Sequence, residues 1–266
     1  MSASERIYDL LSQVNSDGRN FPATIFYNEG WLLRLVLDWF FRQKAIGHKL
    51  SFAPNANWFS EALLGSQFLS RGRWDALAEG FTHADGVIGH FSIGRGALAN
   101  VSLAEAASQF IVAEAKLFSP LSSGVTNARY FNQAARNVAC IAYALHQAEL
   151  EPSRFSSLAF YVLAPREQIE DKQLFAEFTS KPSIREKVSL RVTAYQGSPQ
   201  AEKHLRWQRE WFEPTLERAE IACLAWEDVI EFIRAEDDPF GSDLSKFYKD
   251  CCKFNRVQEP DLRAST

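Results

Sequence analysis

The segment QFIVAEAKLF (residues 109–118) is an apolar run that ends in two opposite charges, Glu114 and Lys116, just before a loop rich in serine, proline and glycine. An apolar run of this length that is followed by turn residues predicts a buried strand. Because side chains alternate between the two faces of a strand, Glu114 and Lys116 share one face, and Ala113 and Ala115 point to the other. We therefore expect a carboxylate and an ammonium to meet at the end of a core strand.

A second carboxylate, Asp85, lies at the start of the preceding predicted strand, ADGVIGHFSIG (residues 84–94). If the two strands pair antiparallel, the start of one lies beside the end of the other, and Asp85 converges with Glu114. Two close carboxylates repel each other, and Mg²⁺, which takes oxygen ligands and keeps waters and phosphate oxygens in its shell, relieves that repulsion. A lysine beside such an ion can position a water or stabilise negative charge. The pattern therefore suits hydrolysis of a phosphodiester.

Over the first part of the chain, the hydrophobic patterns predict the order helix, strand, strand, strand, helix, strand. The expected elements are a helix at 27–46, strands at 58–64, 84–94 and 109–118, a helix at 127–148 and a strand at 157–165. Asn28 is expected as the first N-cap, with Glu29 in the first turn. Later segments are mainly helical, with one short strand that passes into a helix over 219–236. We expect an α/β protein with residues 1–170 as its core and 171–266 as an extension packed on it.

Three stretches, ADG (84–86), VAEAK (112–116) and YFNQAARN (130–137), in this order of elements, resemble the PD-(D/E)XK nuclease superfamily. The resemblance implies a restriction-endonuclease-like fold, with an α-β-β-β-α-β core and a central mixed sheet flanked by helices. It also implies hydrolysis of nucleic acid with Mg²⁺ or Mn²⁺, and the chain is similar to stand-alone bacterial members. Ala84 stands where the family motif has proline. That proline makes no metal contact, so the change affects recognition more than chemistry.

The resemblance also implies a role for each matching residue. Asp85 and Glu114 would be metal ligands, and Lys116 would be the catalytic lysine. Glu29, in the helix before the strands, matches an extra acid that often completes the metal shell. Gln133, in the helix after the lysine, matches a polar helix residue of several branches.

Other residues around the motif remain open between function and structure. Glu61, in the strand at 58–64, is a rival to Glu29 as the third acid. Tyr130, Gln133 and Asn137 are expected to form a polar stripe on the second helix that contacts a phosphate. Ser123 and Asn127 belong to the loop before that helix, where backbone amides at the helix N-terminus could meet the same phosphate. The loop could equally be a connector.

Each of these charged residues also has a purely structural interpretation. Glu114 and Lys116 could be an ion pair at the end of a strand, and Asp85 could be a turn residue before glycine. Glu29 could be an acid placed in the first turn by the helix dipole.

The segment RWQREW (206–211) interleaves Arg and Trp in a way that suits stacking on bases, but its spacing favours a packing face.

Composition limits the class of protein. The chain has 266 residues, of which 46% are hydrophobic and 23% charged, so we expect a globular protein. The net charge of −4 argues against coating nucleic acid by bulk attraction, because phosphate neutralisation needs clustered Lys and Arg. The four cysteines have no metal-type spacing and are expected to be reduced thiols. No apolar run approaches the roughly 20 residues of a membrane helix, and residues 1–15 lack signal-peptide features. We therefore expect a cytoplasmic protein that does not associate with a membrane.

The leading hypothesis is a metal-dependent nuclease with DNA rather than RNA as its partner, acting alone, as a homodimer or with a protein that supplies specificity. The first alternative is a catalytically silent domain of the same fold that binds a protein partner. The second is a phosphoesterase acting on small nucleotides. Asp85, Glu114 and Lys116 together favour activity, because a silent domain does not need all three.

Overall fold

A computed structural model describes residues 3–12, 21–70, 75–94, 100–171 and 173–256 of the chain. Its strands are β1 (Asn57–Leu64), β2 (Thr82–Gly89), β3 (Phe91–Ile93), β4 (Val101–Leu103), β5 (Gln109–Ala115), β6 (Ser157–Ala164) and β7 (Glu220–Ala225). Five of them form a mixed central sheet with the order β1-β2-β5-β6-β7, and β3 and β4 form a separate two-stranded ribbon. Neighbours from β1 to β5 are antiparallel, and neighbours from β5 to β7 are parallel.

Helices lie on both faces of this sheet. They are α1 (Ala3–Ser12), α2 (Glu29–Gln43), α3 (Gln133–Ala148), α4 (Arg166–Asp171), α5 (Gln173–Thr179), α6 (Lys181–Thr193), α7 (Ala201–Trp207), α8 (Glu213–Arg218), α9 (Trp226–Glu236) and α10 (Asp238–Asn255), with a π-helical turn, Gln208–Phe212, between α7 and α8. One hydrophobic core joins the sheet to α3, α6 and α8. The other joins it to α2, α9 and α10. The crossover through α3 makes β5 and β6 parallel.

The helix α2 packs closely on β2. Its N-cap, Asn28, accepts a hydrogen bond from the Trp31 N–H at 2.9 Å, and its buried face includes Leu33 and Leu37. A Cβ atom on Gly86 of β2 would come within 3.0 Å of both leucine side chains. Glycine at this position therefore allows the helix to approach the strand beside Asp85.

The predicted fold class is confirmed as an α/β protein with a mixed central sheet flanked by helices and further helices towards the C-terminus. The segment predicted as a short strand that passes into a helix forms β7 and α9, and β7 pairs with β6. The C-terminal extension therefore contributes the fifth strand of the central sheet, in addition to its helices.

Several predicted boundaries are wrong: the helix predicted over 27–46 spans Glu29–Gln43, and the strand predicted over 109–118 ends at Ala115. The helix predicted over 127–148 begins at Gln133, because Asn132 caps it by accepting the Ala135 N–H at 2.9 Å. The strand predicted over 84–94 begins at Thr82, so Asp85 lies inside it and not at its start. It is interrupted after Gly89, which has a φ of 148°. A Cβ atom there would lie 2.2 Å from the Gln109 carbonyl oxygen, so the chain bends at a glycine before the short strand β3 begins.

Candidate functional site

The two carboxyl groups on β2 and β5 lie next to each other. Asp85 and Glu114 are one position beyond the last paired residues of these strands, Gly86 and Ala113. The Asp85 Oδ2 atom accepts a hydrogen bond from the Ala115 backbone N–H at 2.8 Å. The Asp85 side chain therefore occupies the place of a main-chain acceptor where the two strands separate, and this fixes its carboxyl beside that of Glu114.

One oxygen of Glu114 has two donors. Lys116 Nζ lies 2.7 Å from Glu114 Oε1, and the Gln133 side-chain amide donates to the same oxygen. The side chain of Glu114 is 2% exposed and that of Lys116 is 13% exposed. The second oxygen, Oε2, is buried and has no hydrogen-bond partner among the described residues. A buried acceptor without a partner is costly, so this atom marks a place for a proton, a water or a cation.

The environment of Glu114 disfavours its charge. Burial first, and then the negative charge of Asp85, raises the pKa of Glu114 to about 8, and the Lys116 ammonium opposes this rise without cancelling it. At neutral pH the uncharged acid is therefore favoured unless another positive charge is close. A divalent cation would supply that charge.

The amide of Gln133 also holds the loop between β5 and α3. Its Oε1 atom accepts the Ser122 N–H at 3.1 Å, and its backbone N–H donates to the Ser122 carbonyl at 2.9 Å. Gly124 in this loop approaches the Arg129 carbonyl so closely that a Cβ atom would lie 2.1 Å from the oxygen. Gln133 therefore links the loop to Glu114. The loop contact is made by Ser122, a residue that the sequence pattern did not single out.

In the described part of the chain, neither candidate third acid forms a metal-binding group with this pair. Glu61 lies across from Asp85 on β1, but its side chain is engaged elsewhere. Glu61 has a left-handed φ of 56° and pairs with Arg34 at 3.1 Å. Glu29 starts α2 on the side of Cys251: burial is the main cause that raises the pKa of this thiol, and the charge of Glu29 adds a smaller contribution. Within the described ranges, no three or more His, Cys, Asp and Glu side chains form a group that could hold a metal ion. The expected shell of three carboxylates is therefore reduced to the Asp85–Glu114 pair.

The predicted polar stripe on α3 is not formed, because the helix begins later than expected. Tyr130 precedes it and donates to the Leu190 carbonyl at 3.3 Å. Asn137 is fully buried and donates to the Gln133 carbonyl at 3.1 Å. Of the expected stripe, Gln133 alone reaches Glu114.

The other expected phosphate contacts lie in the loop before α3. Ser123 is exposed there, and Asn127 donates its side-chain amide to the Ala78 carbonyl at 2.7 Å. The signal for the true helix start was Asn132, a favoured N-cap residue. Because Asn132 directly precedes Gln133, recognising it as the N-cap would have placed Gln133 in the helix and the residues before Asn132 in the loop.

The two Trp residues of 206–211 serve packing, and Arg206 and Arg209 are exposed. Trp207 is 2% exposed and packs against Phe68 and Phe212. Trp211 is half-buried, with its ring 5.1 Å from that of His146. The packing interpretation of this segment therefore agrees with the structure.

Comparisons with known proteins give no relative for this chain: no protein-family model, no curated protein and no solved structure matches it. None of the helices in the described ranges is long and apolar enough to cross a membrane.

Proposed function

We propose that this protein is a metal-dependent nuclease with a restriction-endonuclease-like core, which hydrolyses phosphodiester bonds of nucleic acid with Mg²⁺ or Mn²⁺. The proposal rests on one observation. Two adjacent carboxyls, Asp85 and Glu114, meet an ammonium and an amide at the end of a central strand, and one oxygen of Glu114 is buried without a partner.

The side chains fit a hard divalent cation. Such ions take carboxylate oxygens and complete their shell with waters and phosphate oxygens, so two carboxylates suffice as protein ligands. Asp85 and Glu114 would hold the ion, and the unpartnered Oε2 atom of Glu114 is the donor that lacks any other role. A bound cation would acidify a water and stabilise charge on the phosphoryl group.

The chain's own residues have distinct parts in this proposal. Lys116 contributes a positive charge for the scissile phosphate and its attacking water, and its contact with Glu114 keeps the ammonium at the site. Gln133 orients Glu114 through its side-chain amide, and Ser122 orients Gln133 in turn. Burial of Glu114 excludes water from one side of the pair, which strengthens its interaction with positive charge.

The alternative of a catalytically silent domain has one observation in its favour. Asp85 is engaged by the Ala115 N–H and Glu114 Oε1 by Lys116 and Gln133, so much of the polar network satisfies itself. In that case the cluster would be structural, and the same surface would serve a protein partner. The unpartnered Glu114 oxygen and its raised pKa favour the nuclease.

The test is incubation of the purified protein with single-stranded DNA, duplex DNA, RNA and small nucleotide esters in Mg²⁺, in Mn²⁺ and in EDTA. We expect cleavage of at least one nucleic acid with a divalent cation, and none in EDTA. Intact substrates with both cations would support the silent domain, and cleavage of small nucleotide esters alone would support the phosphoesterase.

A further inference from the structure

An exposed tryptophan lies on α2, the helix that packs on β2 next to Asp85. Trp31 belongs to the first turn of α2 and is 39% exposed. Two residues later in the same helix, Leu33 packs against Gly86, the neighbour of Asp85. With 3.6 residues per turn, positions two apart differ by about 200° around the helix axis, so the Trp31 side chain points away from the face that packs on Gly86. The exposed indole is linked to the sheet through Arg34 instead.

The planar side chain of Arg34 lies over this indole. The guanidinium carbon is 5.1 Å from the centre of the Trp31 ring. Arg34 is fixed from the other side, because its Nε atom donates to Ser60 Oγ at 2.8 Å and its Nη2 atom to Glu61 Oε1 at 3.1 Å. The stacked pair of Trp31 and Arg34, here called the stacking pair, is therefore anchored to β1.

The strand that anchors the stacking pair is distorted at the same level as the carboxyls. Ser60 pairs with Gly86 and Ala62 with Ala84, which places Glu61 across from Asp85. Glu61 has a left-handed φ of 56°, a conformation that costs a residue with a side chain free energy. Strain of this kind is often kept at functional sites. Here the strained residue is the one that binds Arg34.

We infer that the stacking pair of Trp31 and Arg34 binds an unpaired nucleobase, so that the substrate reaches Asp85 and Glu114 as a single strand. This inference rests on the proposed nuclease function. Aromatic rings such as indole, and guanidinium planes, are side-chain surfaces on which single-stranded bases stack. A duplex buries the faces of its bases, so it cannot offer them to this pair. Stacking also suits an acidic chain, because it adds affinity without net positive charge.

The experiment measures binding of a fluorescein-labelled 20-nucleotide thymidine strand and a blunt duplex by anisotropy, in EDTA so that the strands stay intact. We expect the wild type to prefer the single strand. Trp31→Ala should weaken single-strand binding about tenfold, within the range of losing one stacked base, whereas Trp31→Phe should retain most of the affinity. Phe41→Ala is the matched control, because Phe41 is 42% exposed near the other end of the same helix.

Arg34→Lys gives a second variant that keeps the charge but removes the planar fork, and it should also weaken single-strand binding. Unchanged affinity in Trp31→Ala, an equal loss in Phe41→Ala, tighter binding of the duplex or no binding at all would overturn the inference. Single-strand binding that depends on Trp31 without cleavage in Mg²⁺ or Mn²⁺ would leave the stacking pair and refute the nuclease. Cleavage by a protein whose single-strand binding does not depend on Trp31 would support the nuclease and refute the role of the stacking pair.

Discussion

Glu114 touches an ammonium and an amide through one oxygen, while its other oxygen is buried without a partner. Its neighbour Asp85 adds a second negative charge. The balance of these contacts decides whether the residue holds a proton or a cation. Because the pKa of Glu114 changes on folding, its titration should change the free energy of unfolding of the protein.

The first prediction is a dependence of stability on pH that Glu114 causes. The pKa of Glu114 is near 4.5 in the unfolded chain and about 8 in the folded protein, so the folded state binds more protons between these values. The free energy of unfolding should therefore fall as pH rises from 5.5 to 7.5, by up to about 1.4 kcal/mol per pH unit. Urea denaturation should show this contribution in wild type and not in Glu114→Gln. An identical pH dependence of both proteins would contradict the assignment.

The second prediction concerns Asp85 and the cation. Asp85→Asn keeps an oxygen that can accept the Ala115 N–H, so the contact between the strands should remain. The lost charge should weaken Mn²⁺ binding by more than about tenfold, a loss seen even for outer-shell partners of metals. Calorimetric titration of the variant and the wild type with Mn²⁺ measures it. Equal affinities would remove Asp85 from the set of ligands.

At the scale of elements, α3 and the preceding loop are joined to the sheet through Gln133. Gln133→Ala removes one donor to buried Glu114 and one acceptor for Ser122. The free energy of unfolding should fall by about 1–3 kcal/mol, the cost of leaving a buried polar group unpaired. Gln147→Ala, on the exposed side of the same helix, is the control and should change little. Hydrogen exchange at the Ser122 amide should also speed up in Gln133→Ala, and an unchanged rate would show that the link is not important.

The five strands of the central sheet and the antiparallel pairing of β2 with β5 could be predicted from local patterns, whereas the β3–β4 ribbon and the parallel pairs were not predicted. Alternation along 109–118 and an antiparallel neighbour were enough to bring Asp85 towards Glu114. The start of α3 could not be found from its alanine-rich composition, since helix propensity does not mark an end and the Asn132 cap does. Glu29 lies on the side of Cys251 in α10, and Glu61 pairs with Arg34, in each case a residue that is distant in sequence. Such contacts have no local signal.

At the scale of the whole molecule, residues from distant parts of the chain support one end of the sheet. Trp226, at the start of α9, donates its indole N–H to the Lys116 carbonyl at 2.8 Å, and β7 extends the sheet beyond β6. The net charge of −4 means that a polyanion would be held by local contacts rather than by the field of the whole protein. This favours a site that acts through a few positioned groups, among them Lys116, whose positive charge is in contact with Glu114.

The central claim is tested most directly by the cleavage rate of Lys116→Ala in Mn²⁺, measured together with its Mn²⁺ affinity. The rate should fall by about two to three orders of magnitude, as when one preorganised electrostatic group is lost. Metal binding should persist, because a nearby positive charge has been removed. Lys246→Ala is the control, since Lys246 pairs with Asp243 at an exposed site, and it should cleave at the wild-type rate. A Lys116→Ala protein that also cleaves at that rate would show that Lys116 only balances the charge of Glu114.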